Sequence, residues 1–146
     1  MDFEQNLNAK LLEHKDLTKV KVRFNDTDAM GVVHFKNYMV YFDDGFVSYM
    51  NSIKNKRRIE EMIHEGLACG VKHINIDYEG SAKFGDYVIV ETRIKKIGNN
   101  SITFSHNLYK EDNKELLAKI ECVRFVLDLK TNKLINISKF LEYFLK

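Results

Sequence analysis

The chain has 146 residues, of which 45% are hydrophobic, and it contains ten Phe and seven Tyr side chains. A chain of this length and composition can bury one substantial core, so we expect a single domain over residues 1–146. Its 23 Lys and Arg residues nearly balance its 21 Asp and Glu residues, which gives no chain-wide electrostatic signature for binding nucleic acid or an anionic membrane.

Segments that would direct the chain to a membrane or an oxidising compartment are not evident. No apolar run approaches the roughly 20 residues that a transmembrane helix needs, and the first residues lack the pattern of a signal peptide. We therefore expect a cytoplasmic protein with no membrane contact. Cys69 and Cys122 form no Cys-x-x-Cys motif, so we expect two buried free thiols rather than a zinc site or a redox pair.

The first part of the chain combines a strand with a long helix. Residues 1–17 predict a short helical addition, and residues 19–25 alternate basic and apolar side chains, which predicts a strand. Between residues 37 and 53 the apolar side chains recur every three or four positions, which predicts a helix with one apolar face. Gly45 inside it costs about 1 kcal/mol of helix propensity, which indicates close packing against another element.

The second part of the chain is predicted to be mainly strands. Residues 57–65 predict a short helix that ends at Gly66. The strand-like segments that follow are separated by short turns and span residues 71–79, 86–97, 101–110 and 115–129. An antiparallel sheet covered by the long helix, and hence an α+β fold, is the predicted architecture. The last residues, 138–146, predict a helix with Ser138 as its N-cap.

The last predicted strand carries apolar side chains on both of its faces. They are Cys122, Val123, Phe125, Val126 and Leu127. A strand with one solvated face would alternate apolar and polar residues, so we expect another subunit to cover the second face or the edge of this sheet. A homo-oligomer is therefore predicted.

An Asp-Thr-Asp turn, residues 26–28, lies between the first strand and the long helix. The two carboxylates and Gly31 resemble the start of a calcium-binding loop, but Met30 and Asn37 stand where that loop needs ligands. We therefore expect no metal. Such a turn often only satisfies free backbone amides, whereas a carboxylate beside backbone donors at a helix start can also take part in activating a carbonyl.

The longer string Asp-Thr-Asp-Ala-Met-Gly-Val-Val-His-Phe-Lys-Asn-Tyr-Met-Val-Tyr-Phe-Asp, residues 26–43, resembles the signature of a known family. The family is the 4-hydroxybenzoyl-CoA thioesterase-like branch of the hotdog-fold acyl-CoA thioesterases. Residues 76–78 and 85–92 are similar to its sheet region in the same order, so the resemblance covers about residues 19–129. It implies an antiparallel sheet wrapped around a long central helix, an acyl-CoA substrate and no cofactor. It also implies homodimers joined at their sheet edges, which pair into homotetramers.

The resemblance assigns roles to individual residues. The catalytic carboxylate, as nucleophile or general base, corresponds to Asp28, and Asp26 is expected to hold the turn. Backbone amides near His34 and Phe35 are the expected oxyanion donors, and the His34 side chain is a candidate for proton transfer or for a wall of the site. Two further positions that match the family pattern and are expected at the substrate site are Asn37 and Tyr38.

Other features leave the carrier and the reaction open. Another branch of the fold has its catalytic carboxylate on the central helix, where this chain has Asp43 and Asp44, although a solvated or subunit-facing pair is the simpler interpretation. Relatives often carry basic residues that meet coenzyme A phosphates where this chain has Gly98-Asn99-Asn100. Nearby side chains that could substitute are Lys83, Lys95 and Lys96. An acyl carrier protein as carrier, a non-catalytic acyl-CoA-binding or regulatory module, and acyl dehydration are the alternatives.

Overall fold

The computed structural model describes residues 3–53 and 58–145. Four α-helices are described: α1 (Phe3–Glu13), α2 (Asn37–Ser52), α3 (Ile59–His64) and α4 (Ile137–Phe144). The strands are β1 (Lys15–Lys21), β2 (Leu67–Tyr78), β3 (Tyr87–Ile97), β4 (Ile102–Lys110), β5 (Leu116–Asp128) and β6 (Lys133–Leu134). None of the described helices is long and apolar enough to cross a membrane.

The strands form one antiparallel sheet in the order β1-β3-β4-β5-β2, with the short β6 paired to β5. The long helix α2 packs on the inner face of this sheet, against β1, β3 and β4. Alternation along β4 and β5 turns every second side chain toward the helix, as a sheet with one face on a core requires. The predicted α+β architecture, with an antiparallel sheet around a long helix, is confirmed.

Two apolar clusters fill the space between α2 and the sheet. The first half of the helix packs on the inner face through Tyr38, Tyr41 and Phe42. Its second half packs on Phe104 and on side chains of α3 and α4. Because the two clusters share one helix, α2 carries the core and its first turn is held in a fixed place.

Gly45 is the point of closest approach between α2 and the sheet. A Cβ atom at this position would lie 2.5 Å from Val90 Cγ1 and 2.7 Å from Thr92 Oγ1. These distances leave no room for a side chain, so the close packing predicted from the sequence is confirmed.

The element boundaries differ from the predictions in three elements: β1, β2 and α4. β1 begins at Lys15 and ends at Lys21, so its first residues were wrongly placed in the N-terminal helix. β2 begins at Leu67, directly after Gly66, instead of at residue 71. The N-cap of α4 is Asn136, not Ser138, because the Asn136 side chain accepts the Lys139 N–H. Arg57, the predicted start of α3, lies outside the described residues.

Apolar side chains lie on both faces of β5, as the sequence predicted. Cys122 and Val126 are buried on the inner face, while Val123, Phe125 and Leu127 alternate with them and are only half-buried. Cys122 and the half-buried Cys69 are both free thiols, and burial raises the pKa of Cys69 to about 11. The prediction that another subunit covers the outer face or the edge stays a prediction.

Candidate active site

The Asp-Thr-Asp turn is part of a tight hairpin that leads into α2. Thr27 and Val33 form an antiparallel bridge, and the Asp28 N–H donates to the Val32 carbonyl at 2.9 Å. The Gly31 N–H donates back to the Asp28 carbonyl at 3.0 Å, and Gly31 has a φ of +81°. A positive φ directly after such a turn is the conformation of a bulged hairpin, and it favours glycine.

Asp28 lies half-buried at the start of this hairpin. Its Oδ1 accepts the Met30 N–H at 2.8 Å, which fixes the side chain in an Asx turn. Among the described residues no donor contacts its Oδ2. The carboxylate is therefore held in place through one oxygen, and the other oxygen is left for a ligand.

Asp26 has the opposite environment, because its side chain is buried and both of its carboxylate oxygens accept hydrogen bonds. Its carboxylate accepts hydrogen bonds from the Arg23 N–H at 3.0 Å, from Arg23 Nη2 at 3.2 Å and from Tyr41 Oη at 2.9 Å. Its backbone carbonyl accepts the His34 N–H at 2.9 Å and Asn37 Nδ2 at 2.7 Å. Asp26 thus joins both arms of the hairpin to the first two turns of α2.

The charges around Asp26 keep it ionised. Burial alone would raise the pKa of Asp26, but the hydrogen bonds from Arg23 and Tyr41 outweigh burial and hold the pKa below its ordinary value. Burial, and then the neighbouring Asp26 charge, raise the pKa of Tyr41. The Tyr41 hydroxyl therefore stays protonated and remains a donor to the buried carboxylate.

The backbone amides between the hairpin and α2 differ in whether their N–H groups have a hydrogen-bond acceptor. The His34 N–H donates to the Asp26 carbonyl, and the Lys36 N–H donates to His34 Nδ1. The next three amides donate to carbonyls three residues earlier: Asn37 to His34, Tyr38 to Phe35 and Met39 to Lys36. The Phe35 N–H is the exception, since it has no acceptor in the part of the chain that the structure describes. Of the two amides expected to be oxyanion donors, the His34 N–H is thus occupied and the Phe35 N–H is available.

The His34 ring is oriented by its own backbone neighbours. Its Nδ1 accepts the Lys36 N–H at 3.2 Å, so the neutral ring carries its proton on Nε2. The ring also stacks on Phe35, with 4.5 Å between centroids. The His34 ring is therefore oriented next to Phe35, and its predicted role, in proton transfer or as a wall of the site, stays a prediction.

The segment between β2 and β3 forms the other side of the site. The Val33 N–H donates to the Ala82 carbonyl at 2.8 Å, and Val32 forms a bridge with the exposed Lys83. The buried Tyr38 reaches the Gly80 carbonyl through its hydroxyl at 3.4 Å. Six of the predicted site residues are thus gathered around the hairpin and its flanking segment: Asp28, His34, Phe35, Asn37, Tyr38 and Lys83.

Lys95 and Lys96 lie elsewhere in the same chain. Lys95 follows Tyr87 by eight residues along β3, which corresponds to about 26 Å of extended strand, and its ammonium pairs with Glu121. The register of β3 against β4 shifts between Ile94 and Lys96. One chain does not bring these two lysines to Asp28, and their role in binding a carrier stays a prediction.

The carboxylates on α2 have different surroundings from Asp28. Asp43 pairs with the buried Arg124 at 2.5 Å, and the Arg124 guanidinium also lies 3.9 Å from the Phe46 ring centroid. Burial, and then the charge of Asp43, raise the pKa of Asp44. Asp43 is thus a structural ion-pair partner. Within residues 3–53 and 58–145, no cluster of His, Cys, Asp and Glu side chains is arranged to hold a metal ion.

Three contacts of the site were missed by the sequence reasoning. Tyr41 and Arg23 anchor Asp26, and Tyr78 donates its hydroxyl to the Phe35 carbonyl at 3.2 Å. Tyr78 is 43 residues from Phe35 in the chain, and no short motif links them. Tyr41 lies at a helical spacing from Tyr38, which signals burial without indicating that its hydroxyl meets a carboxylate.

The fold and this site match a known class of proteins. A model of the thioesterase-like superfamily matches residues 22–145, so the chain belongs to that superfamily, and the family predicted from the sequence is confirmed. The solved structure of a DHNA-CoA thioesterase from Staphylococcus aureus superposes with a TM-score of 0.81 at 21% identity, covering 88% of this chain and 85% of that one. The hotdog fold is thereby confirmed. The family match gives the enzyme class, which is that of the thioester hydrolases.

Relatives of known name give the level of similarity within this class. The chain is 31% identical over 108 residues to the acyl-CoA thioesterase YbgC of Haemophilus influenzae, covering 71% of this chain and 77% of the relative. It is 25% identical over 126 residues to the putative acyl-CoA thioesterase YneP of Bacillus subtilis, covering 86% and 89%.

Proposed function

We propose that the protein hydrolyses acyl-CoA thioesters to a carboxylic acid and coenzyme A, with Asp28 as the reacting carboxylate and the Phe35 N–H as oxyanion donor. The names of the YbgC and YneP relatives support the substrate class. The observation that carries the proposal is that one short segment, the hairpin and the turn before α2, holds a carboxylate oxygen without a donor and a backbone amide without an acceptor among the described residues.

Thioester hydrolysis requires few other groups in the site. The carboxylate either attacks the thioester carbonyl carbon, forming a mixed anhydride that water then hydrolyses, or removes a proton from a water that attacks directly. In both routes the carbonyl oxygen becomes negative in the transition state, and a fixed N–H donor stabilises it. The C–S bond then breaks, and the thiolate leaves as a good leaving group and takes up a proton.

The test of this function is thiol release from butyryl-CoA, palmitoyl-CoA and benzoyl-CoA, measured with the parent protein and with Asp28→Asn. We expect Asp28→Asn to lose about 100-fold or more of kcat. Asp112→Asn is the matched control, because Asp112 lies in the turn between β4 and β5 and its carboxylate also accepts a neighbouring N–H. Equal rates for the parent and Asp28→Asn would refute the assignment, and no hydrolysis of any substrate would favour a binding module.

The lysine assignments can be tested on the same substrates. Lys83 is the predicted carrier contact that lies beside the hairpin in the same chain. A contact with coenzyme A phosphates that is equal in ground state and transition state would raise KM in Lys83→Ala and leave kcat unchanged. Lys95→Ala and Lys96→Ala are assayed in parallel, and a rise in KM for them would require a second subunit to bring these residues to the site.

A homodimer joined through the β2 edge is part of the proposal. Among the described strands, β2 has only β5 as a neighbour, and Val71 and Tyr78 are exposed on this edge strand. A long unpaired strand edge is suited to pairing with a second copy. We expect light scattering to give two or four times the 17.2 kDa chain mass. Val71→Asp should lower the mass, whereas Leu17→Asp on the opposite edge strand should not; a monomeric parent would contradict the dimer.

A further inference from the structure

We propose that Tyr78 is a positioning residue that holds the backbone at Phe35, so that the free Phe35 N–H stays aligned with the reacting carbonyl; this inference rests on the function proposed above. Tyr78 is the last residue of β2, and Phe35 lies in the turn before α2. The Tyr78 hydroxyl donates to the Phe35 carbonyl at 3.2 Å. The bond therefore ties the end of an edge strand to the turn that carries the candidate oxyanion donor.

The Tyr78 ring strengthens this connection. It contacts the Phe35 ring edge to face, with centroids 6.4 Å apart, and the Tyr38 ring at 5.5 Å. Tyr38 is buried in the core, whereas the Phe35 side chain is 61% exposed and otherwise stacks on the half-buried His34 ring. Tyr78 thus connects the exposed Phe35 to Tyr38, which is held by the close-packed core.

Few other bonds hold the Phe35 backbone. Its carbonyl also accepts the Tyr38 N–H, at 3.3 Å, and its N–H has no acceptor among the described residues. Loss of the Tyr78 hydroxyl would therefore leave one long hydrogen bond on this residue. The adjacent peptide unit, which carries the free N–H, would gain freedom to turn away from the site.

The expected effect follows from how an oxyanion donor acts. Such a donor lowers the barrier only if it is already aimed at the oxygen on which charge develops, so added mobility lowers kcat more than it weakens substrate binding. Complete loss of a donor costs about 10²–10³-fold in kcat. Because the Tyr78 variant keeps the donor and only loosens it, we expect a smaller loss, about 10-fold.

The experiment compares Tyr78→Phe, which keeps the ring and removes only the hydroxyl, with Tyr87→Phe as the matched control. Tyr87 is exposed at the start of β3, where Lys19 and Lys21 lie over its ring. Kinetics are measured on whichever of butyryl-CoA, palmitoyl-CoA and benzoyl-CoA the parent hydrolyses fastest. Amide hydrogen exchange is followed in peptides that cover residues 34–38.

For Tyr78→Phe we expect kcat to fall about 10-fold while KM stays within two-fold of the parent value. The shape of the pH–rate profile should be unchanged, and amide exchange over residues 34–38 should be faster. Tyr87→Phe should match the parent in all of these. An unchanged kcat, a loss of kcat without faster exchange, or a change in the alkaline limb of the profile would overturn the positioning role. If the parent hydrolyses no thioester, the proposed function and this inference both fail; an active, Asp28-dependent parent with an unaffected Tyr78→Phe overturns only the inference.

Discussion

Tyr41 Oη donates a 2.9 Å hydrogen bond to the carboxylate of Asp26, from one turn inside α2 to a buried acid 15 residues earlier in the chain. This bond joins the central helix directly to the hairpin that carries Asp28. Two aspartates of one Asp-Thr-Asp turn are thereby given unequal surroundings. Asp26 is enclosed by donors, whereas one oxygen of Asp28 has no donor among the described residues.

The first prediction separates the two aspartates by stability. Asp26→Asn places an amide NH₂ group among the donors of Arg23 and Tyr41, and we expect it to lower the free energy of unfolding by about 2–4 kcal/mol. Asp28→Asn keeps the oxygen that accepts the Met30 N–H, and we expect a change within about 0.5 kcal/mol. Urea denaturation at one fixed protein concentration measures both. An equal loss of stability in the two variants would contradict their different roles.

The second prediction concerns the stability of the fold at low pH. Burial, and then the charge of Arg124, lower the pKa of His106 to about 3, well below the ordinary value of about 6.5. Its Nδ1 lies 2.9 Å from Thr92 Oγ1, and Nε2 has no partner among the described residues. The folded state keeps this ring neutral while the unfolded state binds a proton below pH 6.5. Stability should therefore fall as pH decreases from about 6.5 toward 3, by up to about 1.4 kcal/mol per pH unit.

The variant His106→Leu isolates this contribution. Because leucine does not titrate, the slope of unfolding free energy against pH should flatten between pH 6 and 4, whatever the change in absolute stability. His64→Gln, at an exposed position of α3, should keep the parent slope. A parent slope that survives in His106→Leu would assign the acid sensitivity to other groups.

The third prediction tests the close approach at Gly45. Alanine is the better helix former by about 1 kcal/mol, but its Cβ would lie 2.5 Å from Val90 Cγ1. Because overpacking of a closed core costs about 1–3 kcal/mol, we expect Gly45→Ala to destabilise the protein despite its higher propensity. Thermal unfolding of Gly45→Ala beside Val47→Ala, at a partly exposed position of the same helix, measures the difference. A stabilised Gly45→Ala would mean that β3 can move away from the helix.

Much of the fold followed from local patterns. The 3.6-residue periodicity of α2 and the alternation in β3, β4 and β5 gave these elements to within one residue of their observed bounds. The errors fell where local signals compete. Lys15–Leu17 were predicted to belong to the N-terminal helix yet pair with β3, because the ladder with residues 91–93 decides their conformation. Similarly, a side-chain hydrogen bond selects Asn136 over Ser138 as the cap of α4.

The candidate site, like the fold, was predictable only in part. The string of residues 26–43 identified the hairpin, the carboxylate pair and the helix start, because these groups are contiguous in the chain. Which amide is free was not predictable, since it depends on where the Asp26 carbonyl and the His34 ring come to lie. The separation of Lys95 and Lys96 from Asp28 within one chain likewise required the course of β3.

The sequence by itself determined the family, the α+β class and the segment that holds the candidate carboxylate, because periodicity and a contiguous motif are properties of neighbouring residues. Only the tertiary structure decided which aspartate is enclosed, that the Phe35 N–H is available, and that the distant Tyr78 hydroxyl donates to the carbonyl of that same residue. These depend on contacts between residues 15 and 43 positions apart, and such contacts exist only after the sheet has folded around α2.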